Sequence, residues 1–153
     1  MQKIHSMLWF DQQAEEAANF YVSVFKNSKI RSITRNNSAN FDAPGTVLVV
    51  DFVLDGVDFS ALNGGPNFKF TEAVSFVIDC GTQDEVDYYW DKLLEGGQPS
   101  ACGWLKDKYG LSWQVVPRRL LELIQDKDTA RATRVMQAMM KMVKLDLKTI
   151  EEA

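Results

Sequence analysis

The feature that most constrains this chain is a repeat of periodicities: residues 1–64 and 65–117 both run through strand, helix and a set of further strands. In the first stretch, residues 3–10 alternate, with His5, Met7 and Trp9 on one face and Ile4, Leu8 and Phe10 on the other. The period then becomes helical. Ala14, Ala17, Ala18, Tyr21 and Phe25 share one stripe, Glu15 and Glu16 lie in the first turn, and Asp11 is available as a cap. Asn27 and Ser28 end the helix, residues 29–35 read as a second strand, and residues 36–45 read as a loop. Residues 46–54 and 57–62 are β-rich and flank Asp55-Gly56, the strongest short hairpin signal in the chain.

After the turn Asn63-Gly64-Gly65-Pro66 the order restarts. Residues 73–80 read as a buried strand, and Thr82 with Glu85 forms a capping box. The helix it opens carries Val86, Tyr89, Trp90, Leu93 and Leu94 on one stripe and closes at Gly96-Gly97. Short β segments follow over residues 100–106 and 112–117. The expected fold is therefore α+β, two βαβββ modules over residues 1–64 and 65–117, the second with one strand shortened. Each module alone leaves an apolar face exposed, so the two are expected to close on each other around a cleft, the predicted binding site.

Residues 118–153 change character: they hold no aromatic side chain and are rich in helix formers. Leu120, Leu121 and Ile124 mark a short helix; Ala132, Val135, Met136, Met139 and Val143 mark a longer one, with Asp128 as N-cap. This segment is expected to be a helical C-terminal arm, a lid or dimer contact. Its methionines at helical spacing read as core or interface. The tail holds 8 basic and 6 acidic side chains against 9 and 15 in residues 1–117, so the basic residues and the aromatics are segregated. A nucleic-acid surface interleaves them, and that class is set aside. No apolar run approaches the length of a membrane span, and residues 1–10 lack the features of a secretory leader, so a cytoplasmic protein without a membrane partner is expected. Two cysteines, Cys80 and Cys102, and a single histidine, His5, make neither a disulfide framework nor a site needing two imidazoles.

Several strings along this order resemble the vicinal oxygen chelate superfamily of glyoxalase and bleomycin-resistance proteins, and more closely its PhnB-like branch. They are Leu8-Trp9-Phe10-Asp11 leading into AEEAANFY at 14–21, the turn Leu62-Asn63-Gly64-Gly65-Pro66, residues 102–110 (CGWLKDKYG), Ser112-Trp113-Gln114-Val115-Val116-Pro117, and ARATRVMQAMMKM at 130–142. The resemblance implies paired βαβββ modules, a homodimer and, in the superfamily's enzymes, a divalent metal held by His and Glu side chains from strands of both modules. His5 falls near the first ligand position. Ala73 stands where a histidine is expected, and Asp107, Gly110 and Gln114 match a pattern whose last member is a glutamate. A neutral amide is a poor ligand beside carboxylate or imidazole, so no metal and no other cofactor is expected. Members of this branch also carry the label 3-demethylubiquinone-9 3-methyltransferase. S-adenosylmethionine bound in the usual methyltransferase manner needs a glycine-rich strand-to-helix turn, and the only Gly-Gly pairs here are 64–65 and 96–97.

The expected function is binding of a small organic molecule without a metal, with His5, Trp9, Phe59, Trp104 and Gln114 as ligand contacts. A buried amide must satisfy two donors and an acceptor, and aromatic walls with few polar groups suit such a ligand. Trp113 is a further aromatic candidate, although some of these rings must pack the sheet. Cys102, ahead of Gly103-Trp104 on an expected strand end with Lys106 and Lys108 near in sequence, is the candidate catalytic residue of a thiol-based transferase; a buried inert thiol is its alternative. Also open are a metal-dependent lyase, dioxygenase or isomerase, and a partner-binding module using the helix over 128–145.

Overall fold

The computed structural model describes residues 2–153, and the chain forms two compact units, Met1–Phe70 and Thr71–Ala153. Each contains one four-stranded mixed sheet of βαβββ order, so the α+β fold with two such modules is observed.

In the first unit β1 (Ser6–Phe10) leads through α1 (Ala14–Val24) to β2 (Lys29–Arg35), β3 (Val47–Leu54) and β4 (Val57–Asn63). The sheet order is β1-β4-β3-β2, with β1 parallel to β4 and the other pairs antiparallel. Leu8, Phe10, Val50, Phe52, Leu54, Phe59 and Ala61 are buried, as are Ala14, Ala17, Ala18, Tyr21 and Val24 of α1. Tyr21, Phe52 and Phe59 stack in sequence, at 6.5 and 5.6 Å between ring centres, which identifies the face of the sheet that α1 covers. The hairpin at Asp55-Gly56 has both residues at positive φ, 47° and 78°, as its two-residue turn requires. β1 starts later than its alternation suggests: Ile4 is 89% exposed and His5 lies ahead of the strand. α1 is not capped by Asp11. Gln13 occupies the cap position without a side-chain bond, and Asn63, at the far end of the unit, accepts the Ala14 N–H at 2.8 Å.

The second unit repeats the pattern with β5 (Ser75–Cys80), α2 (Gln83–Leu94), β6 (Gln98–Pro99), β7 (Trp104–Lys106) and β8 (Ser112–Pro117), in sheet order β5-β8-β7-β6. β5 and β8 are parallel, and β6 has shrunk to two residues. The expectation of a buried strand over 73–80 needs correction: Ala73 and Val74 precede the strand, and within it only Cys80 is buried. β5 lies at the sheet edge, so it is packed from fewer sides than a central strand. Thr82 caps α2 by accepting the Glu85 N–H, while the Glu85 carboxylate accepts the Gly81 N–H, one residue further back than the usual box. Val86, Trp90 and Leu93 of α2 pack toward Leu105, Trp113 and Val115.

Three helices follow in the same compact unit: α3 (Arg118–Ile124), α4 (Thr129–Met140), capped by Asp128 as expected, and α5 (Leu147–Glu152), capped by Asp146. Leu120, Leu123, Val135, Leu145 and Ile150 close a core of their own on Val116. The stretch between α4 and α5 is tied to the sheet: Cys102 and Gly103 donate their N–H groups to the Met142 and Val143 carbonyls, and Gln83 bonds both Leu145 and Leu147. No helix among the described residues is long and apolar enough to cross a membrane.

Candidate functional site

Because side chains alternate along a strand, each sheet has one face turned to its helix and one turned away, and the polar residues gather on the second. In the first unit this face carries a cross-strand row. Asp51 on β3 stands opposite Ser60 on β4 and Ser32 on β2, and its carboxylate accepts both hydroxyls, from Ser60 at 2.5 Å and from Ser32 at 3.1 Å. His5 Nε2 lies 3.2 Å from Ser60 Oγ. With the Ser60 proton committed to Asp51, that oxygen can only accept, so His5 carries its hydrogen on Nε2. Asp58, also buried, accepts the Gln2 N–H and pairs with Arg31 at 3.2 Å. The Gln2 bond, with Arg31 adding to it, holds its carboxyl below the ordinary carboxylate value against the opposing effect of burial.

Trp9 shares the same strand face but is pinned at the end of the unit. Its Nε1–H donates to the Gly65 carbonyl at 2.9 Å and its ring meets Phe68 edge-to-face at 4.9 Å. Gly64 packs so closely against the indole that a Cβ there would overlap it, which explains the glycine. Phe59 is elsewhere: it points to the α1 side, 6% exposed, in the stack with Phe52. The structure therefore does not bring it together with His5 and Trp9.

In the second unit the face away from α2 carries Gln114 and Trp104, two of the five expected contacts. They are register partners on β8 and β7, with Val77 of β5 on the other side of Gln114. The Gln114 amide donates to Ser75 Oγ at 3.0 Å. The adjoining row is Ser75, Ser112 and Lys106, with the Lys106 ammonium paired to Glu72. Trp113 alternates to the helix side, where Asp107 accepts its Nε1–H at 2.9 Å. No local signal marks Ser32, Asp51, Ser60, Ser75 and Ser112, because only strand register places them in the rows that hold His5 and Gln114.

Cys80 is not presented as a nucleophile. Burial, with help from Glu85 and Asp79, pushes the Cys80 thiol up to about 12, so it stays protonated. Cys102 lies in the β6–β7 turn at φ 60°, not on a strand end as the sequence suggested. The two lysines expected to activate it are engaged elsewhere, Lys106 with Glu72 and Lys108 over the Tyr109 ring.

Among the described residues no three His, Cys, Asp or Glu side chains gather as metal ligands. Asp51 is occupied by two serines, the Gln114 amide nitrogen faces a hydroxyl, and Ala73 offers no donor. The donor set of each unit does not fit the metal that the superfamily resemblance implies. The cosubstrate of a methyltransferase fares no better: β1 passes to α1 through Asp11-Gln12-Gln13 without a glycine, and Gly64 is filled by the Trp9 ring.

Comparison with known proteins agrees with the fold. Residues 2–116 match the family model described as 3-demethylubiquinone-9 3-methyltransferase. Among solved structures the chain is similar to the PhnB protein from Bacillus cereus, which bears that enzyme's name as well, at 38% identity over 76% of this chain and 99% of that one, with a TM-score of 0.69. It shares its fold with protein PA1353 from Pseudomonas aeruginosa, at 16% identity, 76% and 98% coverage and a TM-score of 0.64. The same holds for the fosfomycin resistance protein FosX from Listeria monocytogenes, solved with Mn(II) and sulfate, at 14% identity, 80% and 98% coverage and a TM-score of 0.52. No curated protein matches the chain. The chain therefore belongs to the PhnB-like family described as 3-demethylubiquinone-9 3-methyltransferase, and it shares its fold with FosX.

Proposed function

We propose that this PhnB-like protein binds a small organic molecule without a metal, on the sheet faces turned away from α1 and α2. The observation that carries the reading is the pairing of Gln114 and Trp104 in register on one face, with the amide already oriented by Ser75. An oriented amide beside an indole offers directional hydrogen bonds and a flat apolar wall, the usual composition of a small-molecule site. On the first sheet, Ser60 and Asp51 hold His5 in one tautomer, which leaves Nδ1 of the neutral ring as an acceptor for a ligand hydroxyl or N–H. Trp9 contributes a second indole. Phe59 supports this face from beneath, through the sheet.

The test is the composition of the purified protein. Elemental analysis is expected to find no stoichiometric zinc, nickel, manganese or iron, and calorimetric titration with S-adenosylmethionine to give no heat. Stoichiometric metal that disappears in His5→Ala or Gln114→Ala would refute the proposal. Two free thiols favour a reducing compartment, in keeping with a cytoplasmic protein. We propose a homodimer in solution, supported by apolar side chains left exposed on the edge strands, Met7 on β1 and Val77 on β5; light scattering at the mass of a single chain would refute it.

A further inference from the structure

We infer that the face carrying Gln114 takes a small planar organic carboxylate, with Ser112 and Lys106 as its anion subsite and Glu72 as the group that occupies Lys106 until the ligand arrives. The inference rests on the reading of this face as a ligand face and goes on to name the ligand's chemical class.

Ser112 supplies the first argument. Its residue is 1% exposed and its hydroxyl has no hydrogen-bond partner, although nearly all buried polar groups in folded proteins have one. Ser112 stands in register with Ser75 on one side and Lys106 on the other, and shares its face with Gln114 two residues on. An acceptor brought to this row would satisfy the orphan hydroxyl.

Charge supplies the second argument. Lys106 is the cation of the row, and its ammonium already holds a carboxylate, that of Glu72. The Lys106 hydrogen bond keeps the Glu72 carboxyl below its ordinary value, so Glu72 meets the ammonium as a carboxylate. Both side chains are partly exposed, at 40% and 59%, so water screens the pair and a competing anion can displace Glu72 at small cost. A single ammonium that accepts a carboxylate within its own chain suits a singly charged carboxylate from outside. Shape follows from Trp104, whose indole adjoins Gln114 and favours a flat body behind the charged end.

The experiment titrates benzoate and its neutral analogue benzyl alcohol into the full chain, following tryptophan fluorescence and the backbone amide signals of β7 and β8. Benzoate is expected to bind more tightly than benzyl alcohol. Lys106→Met should weaken benzoate by about tenfold or more, the loss of a charge-assisted bond. Glu72→Gln should strengthen it by about two- to fivefold, the release of an exposed competing pair. Ser112→Ala should weaken benzoate while leaving the melting temperature unchanged or raised, because it removes an unpaired buried hydroxyl; a purely structural serine would not separate the two readouts. Benzyl alcohol binding this face as tightly as benzoate, or benzoate indifferent to Lys106→Met, would overturn the carboxylate assignment and leave the ligand face standing. Failure of both probes to move any β7 or β8 signal, together with stoichiometric bound metal, would overturn the reading beneath it.

Discussion

Asp107 offers the most quantitative test of how the second sheet is built. Its carboxylate, on a residue 3% exposed, accepts the Tyr109 N–H at 2.9 Å, the Leu111 N–H at 3.1 Å and the Trp113 indole N–H at 2.9 Å. These bonds shape the β7–β8 turn and so set the register that puts Trp104 opposite Gln114. Replacing Asp107 with Ala strands three donors. Bonds to a charged acceptor contribute about 1.5–3 kcal/mol each, but they are not additive, and removing the carboxylate also relieves several kcal/mol of charge burial. The net loss expected for Asp107→Ala is therefore about 3–5 kcal/mol, a large part of a domain's stability. Asp107→Asn keeps an oxygen for the two backbone donors and turns an amide N–H₂ toward the indole N–H, so it should cost only about 1.5–3 kcal/mol. Urea unfolding at constant slope measures both, and the melting temperature should fall by roughly 6–20 °C in the alanine variant. A loss below about 1 kcal/mol in Asp107→Ala, or equal losses in the two variants, would refute the argument that the carboxylate's bonds set the turn.

Gly64→Ala should push the Trp9 ring from its bond to Gly65, costing about 1–3 kcal/mol and shifting tryptophan fluorescence. Gly103→Ala should be worse tolerated, because Gly103 sits at φ 84° and a Cβ would come within 2.9 Å of both Leu145 Cδ1 and the Val115 carbonyl; its melting temperature should fall below that of Gly64→Ala. Native protein is expected to release one thiol equivalent with a disulfide reagent at neutral pH, from Cys102, and two once unfolded, because the Cys80 thiol is buried and pushed up to about 12. The Lys144–Asp87 pair predicts a pH dependence. Bonds from Lys144 and Gln83 lower the Asp87 carboxyl, so its contribution is present above 3.8 and is lost as the pH falls through the lower folded value. Lys144→Met should thus cost up to about 1 kcal/mol at neutral pH, a difference that urea titrations should show vanishing in strong acid.

Sequence signals hold where local chemistry decides the outcome. The bounds of β2 and β8, the Asp55-Gly56 hairpin, the Thr82 and Asp128 caps and the α1 stripe from Ala14 to Tyr21 all follow from neighbours within a few residues, although Val24 replaces the expected Phe25 as the last buried position. The misses share a different cause. The apolar composition of β5 predicts burial, but burial depends on a strand's place in the sheet, and β5 is an edge. The cap of α1 comes from Asn63, because strand pairing carries that amide to the helix start. Phe59 and Trp9 were equivalent as aromatic residues; parity on their strands sends Phe59 to the α1 core and Trp9 to the opposite face. The last helix, α5, is short, and Leu145 and Ile150 need the packed cluster around Val116 to hold it.

From its residues alone the chain declares a duplicated βαβββ order, the helix stripes and most of their ends, because these are set by interactions along one segment. Which donors meet is a different matter. That Ser60 and Asp51 orient His5, that Ser112 is left without a partner beside Lys106, and that Gln114 faces Trp104 are consequences of register between strands distant in the chain. A shift of one residue would send each of these side chains to the other face, so only the folded sheets decide which of them share a surface.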